Sequence, residues 1–326
     1  VRFKTPLTGK TVFEDMVKGT IAWSNEELDD MVLRRPDGSP TYNLAVVVDD
    51  SAMGVTHVLR GDDHVNNTPR QIHLYQALGK PLPRFGHVPL IHGPDKKKLS
   101  KRHGARSVTG YEEDGFLPEA LLNYLVRLGW SHGDEEIFSK DELLAKFSTE
   151  SLGASASAFD PEKLLWLNAH YIKEADVDRL AGLLADQLDR RGRPVQDKGL
   201  LRAVVPLFQP RAQTMAEMAE QAEFFVIPAA ELAYDQKAVD KFLKPEAREH
   251  LGRIRALLAG LGAFDHAALE EAMRDYVEEQ EIKFKVVAQP LRVALTGRTF
   301  SPGIFEVMEV LGRDETLDRL DRALSL

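Results

Sequence analysis

Cysteine is missing altogether, which removes disulfides and thiolate-held metals from consideration within this chain. No apolar run comes near the ~20 residues that a bilayer-crossing helix requires, so no membrane partner is expected. Positive charge is scarce relative to negative: 42 Lys and Arg face 51 Asp and Glu, a formal net charge of −9. A nucleic-acid partner would have to be met by local basic surface, not by the molecule as a whole. The opening residues Val1-Arg2-Phe3-Lys4 lack an initiator Met, do not form a signal peptide and begin as if in mid-strand, so a piece of a longer polypeptide is expected. There is no repeat of fixed period and no low-complexity tract. What is present suits a soluble protein with a cytoplasmic location by default. Its 326 residues, 43% hydrophobic and 29% charged, are enough for roughly two or three domains of ~100–200 residues each.

Residues 1 to about 40 read as short strands and turns, with a clear turn at Pro36-Asp37-Gly38-Ser39-Pro40. Leu44-Ala45-Val46-Val47-Val48 is a continuous apolar run closed by Asp49-Asp50, the pattern of a strand buried on both faces of a parallel sheet. A second strand, Val55 to Leu59, runs into Arg60-Gly61-Asp62-Asp63-His64. A helix follows, with Asn67 or Thr68 as its cap, Pro69 in its first turn and Gly79 as its stop. His87 to Ile91 reads as another short strand, leading into a basic loop. Strand, helix, strand and loop predict α/β, the second half of a doubly wound sheet. Pro118 to Trp130 reads as a helix with an apolar stripe at 121, 122, 125 and 128. From Asp160 onward the pattern is all-α, as in Val177 to Arg190, Glu246 to Leu261, Ala267 to Gln280 and Arg313 to Leu326. Breaks fall at Gly192-Arg193-Pro194, Pro228 and Gly262.

The segment richest in chemistry is Gly93-Pro94-Asp95-Lys96-Lys97-Lys98-Leu99-Ser100-Lys101-Arg102-His103-Gly104. Ammonium groups on a loop bounded by glycines can follow a polyphosphate as negative charge builds on a departing pyrophosphate. By composition alone a solvated basic turn is the plainer reading. It is not a Walker A loop: Gly9-Lys10-Thr11 imitates the end of one, but the first glycine would fall at position 4, which is Lys4. Histidines 87, 92 and 103 lack ligand-like spacing, and no metal site is assigned to them.

Context changes the reading of the basic loop. Lys98-Leu99-Ser100-Lys101-Arg102 resembles the lysine signature of class I aminoacyl-tRNA synthetases. Longer segments resemble the bacterial glutamyl-tRNA synthetases in particular: Asp37 to Leu44 with its Val-Val-Val-Asp-Asp continuation, Thr56 to His64, Asn67 to Gln71, Leu117 to Trp130, and Gln289 to Gly297. The resemblance covers essentially the whole chain, in order. It implies the second half of a Rossmann-like catalytic domain, then a stem-contact region and an α-helical anticodon-binding domain. The corresponding boundaries are 1–36 for the remainder of a connective insertion, 37–97, 98–173 and 174–326, the last with a subdomain split near 232.

Roles follow by resemblance. Lys98, Leu99, Ser100, Lys101 and Arg102 would grip the phosphates of ATP, with Lys98 and Lys101 as catalytic cations and Lys101 the one acting on the transition state. Ile91 would line the adenine pocket, where plain core packing is the alternative, and Asp63 would lie near the nucleotide. Tyr42 and Arg60 would contact glutamate, with His64 in support. An Arg fork suits a carboxylate and a Tyr hydroxyl fixes orientation without further charge. Taken alone, Arg60 could instead pair with Asp62 or Asp49. Arg211, in Gln209 to Met215, would help read the last anticodon base, although an Arg after Pro is by itself an ordinary surface residue.

The implied activity is ATP-dependent formation of glutamyl-adenylate and transfer of glutamate to tRNA(Glu), with Mg²⁺, by a monomer. The family's second ATP signature, a HIGH-type motif, has no counterpart here and belongs upstream of Val1 in the family's order. A polypeptide truly starting at Val1 would be expected to bind tRNA without activating glutamate. A glutaminyl-tRNA synthetase is the other alternative, disfavoured by the helical character of residues 174 to 326.

Overall fold

The computed structural model describes residues 1–100 and 106–326. The chain divides into two compact units, the first formed by residues 1–107 and 118–164, the second by 108–117 and 165–326.

In the first unit, β1 (Lys10–Asp15) and β2 (Gly19–Ser24) form an antiparallel hairpin. Its short turn is closed by the Asp15 carboxylate, which accepts the backbone N–H groups of Val17 and Lys18 at 3.0 and 2.9 Å, and by Gly19 at φ +74°. After helix α1 (Tyr42–Met53) come β3 (His57–Gly61), α2 (Thr68–Ala77) and β4 (Arg84–Val88). The sheet order is β2-β1-β4-β3, with β1, β4 and β3 parallel and β2 antiparallel at one edge. One face is filled by Val47, Ile72, Leu74, Tyr75 and Phe85. The fold is thus α/β here.

Three expectations are corrected. The run Leu44 to Val48 is not a strand: it lies inside α1, which opens after Pro40-Thr41 and ends on Gly54 at φ +70°. Packing decides this. One turn-spaced residue of the run, Val47, is fully buried against α2, Val48 stays 46% exposed, and Asn43 binds Gln71 at 3.0 Å. A few tenths of a kcal/mol of unfavourable β-branched propensity is overridden by such burial. Second, β4 covers Arg84–Val88, so the strand starts and ends earlier than the expected 87–91. Third, Asn67 makes no side-chain cap on α2, and the Thr68 hydroxyl is turned into the site described below.

The basic loop is followed by α3 (Val108–Glu113) in the second unit, then by α4 (Pro118–Arg127) and α5 (Lys140–Lys146) in the first. On α4 the buried face is Ala120, Leu121, Asn123 and Tyr124, while Leu122 and Leu125 are exposed, so the expected stripe at 121, 122, 125 and 128 is also corrected. Asn123 is buried because it is used: its carbonyl oxygen accepts from Phe138 N–H at 2.7 Å and its amide donates to Glu136 O at 2.8 Å.

Beyond α6 (Pro161–Glu174), helices α7 (Val177–Arg190), α8 (Lys198–Phe208) and α9 (Met215–Ala222) pack on one another. Asp176, Asp197 and Thr214 cap their N-termini with side-chain acceptors. Then come α10 (Gln236–Phe242), α11 (Pro245–Ala259), α12 (His266–Glu279), α13 (Lys285–Thr296) and α14 (Ile304–Ser325), the last interrupted at Gly312 (φ +75°, ψ 170°). Their core includes Leu251, Ile254, Leu269, Met273, Leu291 and Leu320. Gly297 ends α13 at φ +72°, where a Cβ would overlap the Ala233 carbonyl. Gly297→Ala is therefore expected to cost about 2–5 kcal/mol, left-handed strain and steric overlap together. Urea unfolding checks this, and a loss under 1 kcal/mol would contradict it.

Candidate active site

Three parallel strands deliver one residue each to a row at their C-terminal ends. Asp15 ends β1, and the sheet partners His87 and Arg60 each precede the last residue of their strands, β4 and β3. The rule that ligands gather outside the carboxyl ends of open α/β strands marks this edge. His87 is fully buried, its ring between Phe13 and Phe85. Its Nδ1 lies 2.5 Å from Asp15 Oδ2, while its backbone N–H donates to Asp15 Oδ1 at 3.1 Å. Its Nε2 accepts from Arg60 Nε at 3.1 Å and meets Thr68 Oγ1 at 3.0 Å. Arg60 Nη2 donates to Thr68 Oγ1 at 2.7 Å.

Burial holds the Arg60 guanidinium somewhat below its ordinary value, opposed by Tyr42, Asp50 and Tyr75. It remains a cation. Among the described residues Arg60 has no hydrogen bond to Asp62 or Asp49, and Asp62 is held by Lys18 at 3.1 Å. Tyr42, the first residue of α1, is half exposed beside Arg60, and its hydroxyl is 3.4 Å from His64 Nδ1. His64 also meets Asn67 Nδ2 at 3.2 Å. The structure thus gathers Tyr42 and His64 near one cation, Arg60, which among the described residues has no carboxylate hydrogen-bonded to it, although the Asp50 charge acts on it from nearby.

The residues expected on the nucleotide side form a second group. Ile91, half-buried, sits three residues past β4, and its carbonyl accepts Leu99 N–H at 2.8 Å. A tight turn over Gly93 to Lys97, with Lys96 at φ +60°, folds Lys98 back alongside His92. Lys98 Nζ then lies 3.2 Å from Asp63 Oδ2, an exposed pair whose hydrogen bond draws Asp63 below the usual carboxylate value. Ser100 ends this described stretch; Lys101 and Arg102, together with His103, lie outside the described residues.

In the second unit Arg211 is exposed just after α8 and lines a groove with Leu207, Phe208, Gln221, Phe300 and Pro302. Phe300 is 60% exposed, and the Arg298 guanidinium lies over its ring at 5.3 Å. An exposed aromatic face beside an arginine is a fitting receptor for an unstacked base.

Sequence reasoning missed Asp15, Thr68 and His87 as site residues. Only pairing across the sheet brings residues 15, 60 and 87 together, and no local signal carries that.

Comparison with known proteins shows the family and the fold. Residues 1–166 match the catalytic domain of class I tRNA synthetases for E and Q, and residues 179–324 match an anticodon binding domain. The chain is 57% identical over 326 residues to a glutamate–tRNA ligase of Nitratidesulfovibrio vulgaris strain Hildenborough, covering 100% of this chain and 70% of that protein. The chain belongs to the glutamate–tRNA ligase family. A second relative, from Oleidesulfovibrio alaskensis, is 56% identical with the same coverage. The crystal structure of a glutamate tRNA ligase from Elizabethkingia meningosepticum in complex with its amino acid superposes with a TM-score of 0.84 at 30% identity, over 99% of this chain and 68% of that one. The ligase family's class I catalytic fold and helical anticodon-binding domain are therefore both present. No described helix is long and apolar enough to cross a membrane.

The buried histidines give the ligase's first unit a pH signature. Burial lowers His87, with Asp15 opposing, and burial lowers His73, both from 6.5. Both stay neutral in the fold while the unfolded chain takes up protons, so their stabilisation is complete above pH 6.5 and lost as pH falls through their folded values. For Asp15, burial pushes upward, but His87 and the backbone amides of Lys18, Val17 and His87 together bring it below 3.8, so its contribution disappears only in stronger acid. The unfolding midpoint of the first unit is expected to decline as pH drops below 6.5. A midpoint constant between pH 7 and 5 would contradict this.

Proposed function

We propose that the enzyme to which this chain contributes carries out ATP-dependent activation of L-glutamate and its transfer to tRNA(Glu). The observation that carries this reading is Arg60: a cation at the carboxyl ends of the parallel strands, held by neutral partners and flanked by Tyr42. Such a fork suits one of glutamate's two carboxylates. Tyr42 and His64 orient the substrate beside it.

An oxygen of the glutamate α-carboxylate attacks the α-phosphorus of ATP, and the bond to pyrophosphate breaks. The signature Lys98, Leu99, Ser100, Lys101 and Arg102 offsets charge on the departing pyrophosphate, with Ile91 against adenine and Asp63 anchoring Lys98 before ATP arrives. A terminal adenosine hydroxyl of the tRNA then attacks the glutamyl carbonyl carbon, and AMP leaves. Positioning and charge stabilisation suffice, with no covalent enzyme intermediate. Mg²⁺ would enter with the nucleotide phosphates; the described residues hold no group of three His, Asp or Glu side chains suited to a metal. In this reading residues 98–173 meet the tRNA stem, and Arg211 in the 174–326 region reads the last anticodon base, acting as a monomer in the cytoplasm.

The test is charging of tRNA with labelled glutamate or glutamine by material of verified mass. Charging with glutamate alone is expected. Binding of tRNA without charging would overturn the catalytic reading and leave only the tRNA-binding one.

A further inference from the structure

We propose that Asp15 and His87 are positioning residues for substrate recognition: the Asp15 carboxylate fixes the proton of His87 on Nδ1, so that Nε2 is an acceptor that aims Arg60 without neutralising it. The inference rests on the assignment of Arg60 to a glutamate carboxylate. An ionised carboxylate only accepts, so the contact of Asp15 Oδ2 with His87 Nδ1 at 2.5 Å requires the proton on Nδ1. A neutral imidazole has a single N–H, and Nε2 is left with its lone pair. That lone pair faces Arg60 Nε at 3.1 Å and the Thr68 hydroxyl at 3.0 Å. The same hydroxyl accepts from Arg60 Nη2 at 2.7 Å. One edge of the guanidinium is thereby seated on two neutral acceptors.

The alternative design would place a carboxylate directly against Arg60. That would hold the side chain equally well but would compete with the substrate's own carboxylate for the charge. Interposing a neutral ring gives orientation and keeps the cation's charge for the ligand. The groups facing His87 are Asp15 from β1, Arg60 from β3, Thr68 from α2 and the rings of Phe13 and Phe85, with the charge of Lys18 nearby. Asp15 performs two jobs with two oxygens. Oδ1 accepts from the N–H groups of Val17, Lys18 and His87, and Oδ2 is given to the ring.

This separation makes Asp15→Asn a clean probe. The amide oxygen can keep the backbone bonds of Oδ1, while its NH₂ faces Nδ1 and drives the ring proton to Nε2. An N–H then points at Arg60. The KM for glutamate, measured by pyrophosphate exchange with tRNA present, is expected to rise about 10- to 100-fold with little change in kcat. His87→Gln places a carbonyl oxygen where Nε2 was and is expected to stay within a few-fold of wild type. His87→Asn, too short to reach Arg60, is expected to behave like Asp15→Asn. Independently of activity, ¹⁵N spectra of the His87 ring should report the Nδ1–H form in the wild type and the Nε2–H form in Asp15→Asn. A wild-type ring in the Nε2–H form, an unchanged KM with a switched tautomer, or equal losses in His87→Gln and His87→Asn would each overturn the proposal. If Arg60→Gln itself leaves the KM unchanged, the assignment of Arg60 has failed; if it raises the KM while Asp15→Asn does not, only the positioning role has failed.

Discussion

Arg60→Gln is expected to raise the KM for glutamate by about 100-fold or more, since hydrogen bonds to charged partners contribute about 1.5–3 kcal/mol each and a carboxylate takes two from an arginine fork. ATP affinity should stay near its wild-type value, because Lys98 and Asp63 form a separate group that has no hydrogen bond to Arg60 among the described residues. Glutamine is chosen because its amide can still reach toward His87 and Thr68, so the lost property is charge and the fork, not packing. Arg60→Lys should be nearly as damaging. A single ammonium cannot rest on His87 and Thr68 and present a planar pair of N–H groups to a substrate at once. Saturation curves for glutamate and for ATP on the same preparations separate the two sites. A matched loss for both substrates would indicate a collapsed strand edge, and no loss for glutamate would remove Arg60 from the pocket.

How far this site could be read without coordinates depends on where its parts lie along the chain. Tyr42, Arg60 and Asp63 fall within two continuous motifs, so resemblance could name them. Asp15 and His87 stand 72 residues apart and meet only because β1 and β4 pair in parallel. His87 in particular read as an ordinary strand residue, and Thr68 as a helix cap, whereas the fold spends that hydroxyl on Arg60. The Leu44 to Val48 run shows the same limit at the level of secondary structure. Five apolar residues cannot distinguish a buried strand from one face of a helix. The informative marks were at its ends, Pro40-Thr41 before and Gly54 after, a spacing that suits a helix of three turns better than a five-residue strand. On α4 the stripe was chosen by hydrophobicity alone, and the fold instead buries Asn123, which bonds Phe138 and Glu136, and leaves Leu122 and Leu125 outside. The helical half was easier. Aspartate and threonine caps and long amphipathic runs are local signals, and Val177–Arg190 falls where the pattern put it.

Arg319→Met is expected to destabilise the second unit by about 3–5 kcal/mol, the usual consequence of removing one partner from a buried charged network. Arg319 is fully buried on α14, and burial depresses its guanidinium against the opposing pull of Glu315. All three of its nitrogens are engaged: Nε with Glu315 at 2.7 Å, Nη1 with the Leu295 carbonyl at 2.7 Å, and Nη2 with the carbonyls of Phe224 and Ile227 at 2.8 and 2.7 Å. Buried ion pairs between side chains can often be exchanged for apolar residues at little cost. That route is closed here, because three of the four acceptors are backbone carbonyls that no substitution removes. Methionine fills much of the volume but leaves those oxygens without donors. The damage should also reach the Arg211 groove. The Phe224 ring, next to the carbonyl that Arg319 holds, supports Arg298 at 5.5 Å, and Arg298 in turn lies over Phe300, a wall of that groove. Equilibrium urea unfolding and tRNA binding on the same variant therefore test one chain of contacts from two ends. A loss of less than 1 kcal/mol would mean that the carbonyls find other donors. A full loss of stability with unchanged tRNA affinity below the unfolding transition would mean that Phe300 is held independently of the buried arginine.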